Sequence, residues 1–226
     1  MRQESRAERE ALIQAAAYRL LASIGYQRTS MLAVAKEANA SNETLYRWYG
    51  DKKGLLKTMV AGNAAAMTRL LSEAALDPSS KPLEVMQRAA PLLLGMLLGE
   101  NAVSLNRAAA CDESGELGAA IAEEGRSAVL PMIEATIQRA MDLGQFSAPT
   151  AQVAADWFLG LLVGDLQVRR MSRTMPPLAQ PEIEARAAAA FGPFAGLAPV
   201  PAHCDPLKMS FGRAGEGLGG QRFDPP

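Results

Sequence analysis

Within residues 41–53 the chain gathers Ser41, Asn42, Glu43, Thr44, Tyr46 and Arg47, followed by Lys52 and Lys53. These are short or rigid hydrogen-bonding groups and two cations, the types that meet base edges and phosphates. Spacing sorts them. On a helix over 42–49, Leu45, Trp48 and Tyr49 fall at i, i+3 and i+4 and share an inward stripe. Glu43 and Arg47 lie opposite, flanked by Thr44 and Tyr46. Lys52 and Lys53 open the next helix, where the macrodipole disfavours cations by roughly a few tenths of a kcal/mol. A phosphate at that helix N-terminus turns the disadvantage into a shared contact.

Other chemistries lack material. The single histidine, His203, lies in a stretch from 192 to 226 with seven glycines and six prolines, a composition that predicts a poorly ordered tail. Two adjacent ligands, His203 and Cys204, do not make a metal site, and Cys111 and Cys204 are too far apart in sequence to suggest one. Glu123 and Glu124 are neighbours, so a helix points them to different faces and they cannot converge on a substrate. No catalytic residue, metal or cofactor is expected. The charge is uneven: residues 1–60 carry ten Lys/Arg against six Asp/Glu, whereas 61–226 carry thirteen against eighteen. A basic end on an acidic body suits a polyanion at that end.

These side chains need helices to hold them. Apolar positions Leu12, Ile13, Ala16, Leu20, Leu21 and Ile24 recur at spacings of three and four, which predicts an amphipathic helix over 4–24 closed by Gly25. Thr29 and Ser30 can cap a helix over 31–37. Asn39 can take a left-handed turn, and Ser41 caps the helix over 42–49. Two short helices joined by so tight a turn cannot bury a core alone, and the first helix supplies the cover: a helix-turn-helix. Asp51 caps a long fourth helix towards residue 75. Further helices are expected over 82–98, 102–111, 117–143 (bent near Pro131), 150–171, and from Pro181 onward. No segment alternates with period two, so the fold class is all-α.

Residues 11–59 resemble the tetracycline-repressor (TetR) family of bacterial regulators. The resemblance runs through Ala15-Ala16, Leu20-Leu21, Gly25-Tyr26, Thr29-Ser30, Ala35, Ala38, Ser41, Thr44-Leu45-Tyr46, Tyr49, Lys52 and Leu55-Leu56. Asn39-Ala40 stands where the family usually has Gly-Val, and Gly54 where it has an acidic or helix-forming residue. The resemblance implies an N-terminal three-helix DNA-binding domain over 1–50 and a C-terminal helical ligand-binding and dimerisation domain over 51–193, with a tail over 194–226. It implies that Thr29, Ser41, Asn42, Thr44, Tyr46, Trp48 and Lys52 meet operator DNA. The expected function is a ligand-responsive regulator, by implication a repressor, binding a palindromic operator as a homodimer; activation remains open. The alternatives are a helical small-molecule-binding protein whose helix-turn-helix no longer reads DNA, and a helical enzyme.

The body beyond residue 60, above all 106–171, loosely resembles AefR-type effector domains. Met67, Met86, Leu92, Leu93, Met96, Leu97, Cys111, Met132, Thr136, Trp157, Phe158 and Leu161 are candidates to line a pocket for an apolar or aromatic small molecule. For any one of them ordinary core packing is the commoner role. The longest apolar stretch, 89–98, is far too short to span a bilayer. No apolar signal-type segment follows the N-terminus, so no membrane partner and a cytoplasmic location are expected.

Overall fold

The computed structural model describes residues 5–196. Among these residues the regular elements are helical: α1 (Arg6–Arg28), α2 (Met31–Glu37), α3 (Asn42–Tyr49), α4 (Lys52–Leu76), α5 (Pro82–Leu98), α6 (Glu100–Ala110) and α7 (Glu116–Ile121). A π-helical segment (Ala122–Arg126) follows, then α8 (Ser127–Asp142), α9 (Ala151–Val163), α10 (Leu166–Met171) and α11 (Gln180–Ala195). Side-chain caps set several starts. Ser30, Ser41, Asp51 and Thr150 accept from the N–H groups of Ala33, Thr44, Gly54 and Val153 at 2.7–3.2 Å. No described helix is long and apolar enough to cross a membrane.

Three boundaries differ from expectation. Gly25 does break α1, with φ 76°, but Tyr26–Arg28 resume the helix because Tyr26 is only 3% exposed and anchors that turn in the core. The irregularity expected at Pro131 lies ahead of it, in the π segment. Proline offers no N–H to the carbonyl of Ser127, and the wider turn comes just before that gap. The helix expected over 150–171 divides at Gly164, whose φ of 49° ends α9.

Two apolar clusters form. The head cluster joins Ile13, Ala16, Leu21, Met31, Val34 and Leu45 to Leu55, Leu56, Met59 and Val60 of α4, and takes in Leu105 and Leu117 from the body. The body cluster begins on α4 at Ala64 and joins α5, α8, α9 and α11. One helix therefore serves both cores, and the packing does not divide at residue 50, where α3 has just ended. Phe194, the first residue of the expected tail, is fully buried, with its ring centroid 5.2 Å from those of Phe146 and Phe158. Aromatic burial carries the body to the end of α11. From residue 197 onward the expected tail, with His203 and Cys204, lies outside the described residues.

Candidate nucleic-acid interface and the cavity behind it

The turn between α2 and α3 is built on Asn39, with φ 50°. Its N–H reaches the Lys36 carbonyl at 3.3 Å, and that of Ala40 reaches Ala35 at 2.9 Å. This is a Schellman closure with asparagine in the left-handed position that glycine commonly holds. Leu45 is fully buried, which fixes the rotation of α3. Ser41, Asn42, Glu43, Tyr46 (50% exposed) and Arg47 then face outward. Thr44 is half-buried, its hydroxyl 2.8 Å from that of Ser41. Trp48 is also half-buried against the head core, and the Arg6 guanidinium covers its ring at 5.2 Å.

Two expected DNA contacts are placed differently. Thr29 is 3% exposed, and its hydroxyl donates to the Gly25 carbonyl at 2.8 Å. It closes the kinked end of α1 instead of facing outward. The Lys52 ammonium lies 3.8 Å from the Tyr26 ring centroid and donates to the Tyr26 carbonyl at 3.2 Å. Lys52 thus braces the head, while its neighbour Lys53 is exposed.

The head is fastened to the body at four points. Tyr26 donates its hydroxyl to Glu116 at 2.6 Å, and Gln27 donates to Asp112 at 2.6 Å. Tyr18 donates to Asn63 at 3.2 Å. Lys57 on α4 pairs with Glu123 at 2.7 Å and Glu124 at 3.3 Å, both on the π segment. Burial and the bonded Glu116 carboxylate push the Tyr26 phenol well above its ordinary pKa, so it remains a donor. Burial also works to raise the Asp112 pKa, but hydrogen bonds from Ser114, the Leu117 N–H and Gln27 outweigh it and hold the carboxyl below its ordinary value. Apart from Tyr26, which the family resemblance includes, nothing in the sequence marked these residues as a junction, because their partners lie up to 90 positions away.

Behind the head, α4 to α10 and the π segment line a partly open cavity of about 570 Å³, a size suited to a small molecule. Val60, Asn63 and Ala64 form its α4 wall. Apolar side chains such as Leu93, Met96, Leu97, Leu105, Ile121, Val129, Ile133 and Leu159 dominate the rest. A Cβ built on Gly118 or Gly160 would meet no neighbouring atom within 4 Å.

Residues 13–59 match the profile of bacterial regulatory proteins of the tetR family, and residues 84–196 match that of the AefR-like transcriptional repressor C-terminal domain. The chain belongs to the TetR family. It is a DNA-binding transcriptional regulator. A family regulator from Mesorhizobium loti aligns at 26% identity over 84% of this chain and 97% of its own, with a TM-score of 0.64. One from Agrobacterium tumefaciens aligns at 28% over 82% and 92%, with a TM-score of 0.61. FadR of Bacillus subtilis, solved in complex with stearoyl-CoA, shares the fold at 15% identity and a TM-score of 0.63, over 82% of this chain and 97% of its own. A comparison with curated protein sequences returned no match.

In this TetR-family regulator the cavity gathers few of the expected pocket residues. Leu93, Met96 and Leu97 line it. Met67, Met86 and Phe158 are buried core instead, each no more than 1% exposed. Met132 and Thr136 line a separate hollow between α4, α5 and α8. Leu92, Trp157 and Leu161 stand on outer faces, and Cys111 is exposed at the end of α6. Hydrophobic type alone does not distinguish a core face from a cavity face. About half of the missed wall residues are small or amide-bearing, among them Asn63, Ala102, Asn106, Gly118 and Gly160, and the rest are mostly ordinary apolar residues such as Leu105 and Ile121. Gaps in helix bulk were the signal that could have found the small ones.

Proposed function

We propose that the chain is a homodimeric, effector-responsive repressor that reads a palindromic operator with α3 and yields it when a small apolar molecule enters the cavity. One observation carries this: α4 is a single rod whose Leu55, Leu56 and Met59 pack into the head core and whose Val60, Asn63 and Ala64 wall the cavity. Ligand that shifts this wall tilts the same helix that carries the head. Ser41, Asn42, Thr44 and Tyr46 are the proposed base and phosphate contacts, with Trp48 and Lys52 contributing where their packing leaves them accessible. The head comprises residues 1–50 completed by the first turns of α4, and the effector unit comprises the rest.

Dimerisation is supported by Trp157 and Leu161, one turn apart on α9 and 40% and 39% exposed. Large apolar residues left open in this way suit a second copy of the chain. The two heads then meet half-sites about 34–36 Å apart, or somewhat more if they spread.

The experiment is selection of operator from random DNA, followed by titration of wild type and Gly118→Leu with the selected site and candidate effectors. Gly118 shares a face with the lining residues Ile121, Ala122 and Gly125 and has open space beside it, so the leucine should narrow the cavity: operator binding should persist and effector release should be lost. A Gly118→Leu protein that still released operator on effector addition would overturn the cavity as the effector site. Linkage requires that operator weaken the effector by the same factor as the reverse.

A further inference from the structure

The cavity's polar groups are few and unevenly committed. Asn106 and Gln167 give their amide N–H groups to the carbonyls of Ala102 and Leu97, at 2.8 and 3.2 Å. Asn63 uses its Oδ1 to accept from Tyr18 and Asn101, which leaves its Nδ2 as a donor. Among the described lining residues Arg126 alone carries a charge, and no carboxylate shares the wall with it. Among the described residues its guanidinium pairs with Asp156 alone, at 3.8 Å, with both side chains mostly in solvent. A long, exposed ion pair of this kind is weak and readily exchanged. A carboxylate offers the same guanidinium a two-pronged, charge-assisted bond.

Resting on the reading of this cavity as the effector site, we propose that the effector is an apolar monocarboxylate, an acyl chain or aryl system whose body fills the cavity and whose head displaces Asp156 from Arg126. A polyphosphate head is disfavoured here. Arg126 is the one charged group among the described lining residues, with Asp156 facing it, so a head of several charges would find no second cation on this wall. The π segment also links the two events: Ala122, Gly125 and Arg126 line the cavity, while Glu123 and Glu124 hold Lys57 of α4.

The test is calorimetric titration of the full chain with decanoate against decanol, and with naphthoate against naphthalenemethanol. Wild type should bind at least one carboxylate about tenfold more tightly than its matched alcohol. Arg126→Gln, at a side chain that is mostly in solvent, should erase that preference and leave the alcohol unchanged. Asp156→Asn should strengthen the carboxylate a few-fold by removing its competitor. Equal affinity for acid and alcohol in wild type, or a preference that survives Arg126→Gln, overturns the monocarboxylate assignment while the cavity stands. No binding of either pair to wild type, or binding unchanged by Gly118→Leu, overturns the cavity reading and the assignment with it.

Discussion

The Tyr26 hydroxyl donates to Glu116 across 2.6 Å, while the opposite side of the tyrosine carries the Lys52 ammonium 3.8 Å from its ring centroid. One side chain at the end of α1 therefore connects the start of α4 to the start of α7. Tyr26→Phe keeps the ring and the cation–π contact and removes only the bond to Glu116. It should lower stability by about 0.5–1.5 kcal/mol, read in urea unfolding. Operator affinity without effector should barely change, whereas the effector-induced drop should shrink. An unchanged drop would show that the junction transmits nothing.

Asp112 gives the same junction a pH dependence. Its Oδ1 accepts from Gln27 and Ser114, its Oδ2 from the Leu117 N–H, and it is 8% exposed. Its folded pKa is depressed, so its contribution is fully present above the ordinary carboxylate pKa and fades as pH falls through that value towards the depressed one. Asp112→Asn should destabilise the protein by about 1–3 kcal/mol at neutral pH and flatten the loss of stability in acid. Thermal unfolding at neutral and acidic pH measures both.

On α3 the exposed residues should separate from the buried ones. Tyr46→Ala should weaken operator binding by about 1–3 kcal/mol with folding intact, since half of that side chain is in solvent. Thr29→Val should do the opposite. It loses the bond to the Gly25 carbonyl and about 1 kcal/mol of stability, and operator affinity per folded molecule should hold. Band-shift titrations beside circular dichroism distinguish the two.

The lysines at the start of α4 should also part company. Lys53 is exposed and available to phosphate. Lys53→Ala should reduce the slope of log K against log salt by about 0.9 for each phosphate contact removed. Lys52→Ala should chiefly cost stability, because its ammonium is engaged by Tyr26. Equal slopes for wild type and Lys53→Ala would remove that residue from the interface.

The helix-turn-helix was legible in the sequence because its signals are local. Ser30, Ser41 and Asp51 bond to N–H groups three residues on, Asn39 turns within its own loop, and Leu45 sets one face of a short helix. Each depends on neighbours within about one turn, so residue order alone determines them, along with the all-helical class. Tertiary structure decided the rest. Met67 and Met96 are chemically alike, yet one is buried core and the other lines the cavity. Lys52 and Lys53 are adjacent, yet the turn of the helix carries one over Tyr26 and the other into solvent. Phe194 reads as the edge of a Pro/Gly-rich tail until Phe146 and Phe158 close around it. In each case the outcome depends on which distant surface the side chain meets, and that pairing arises only when helices far apart in sequence pack together.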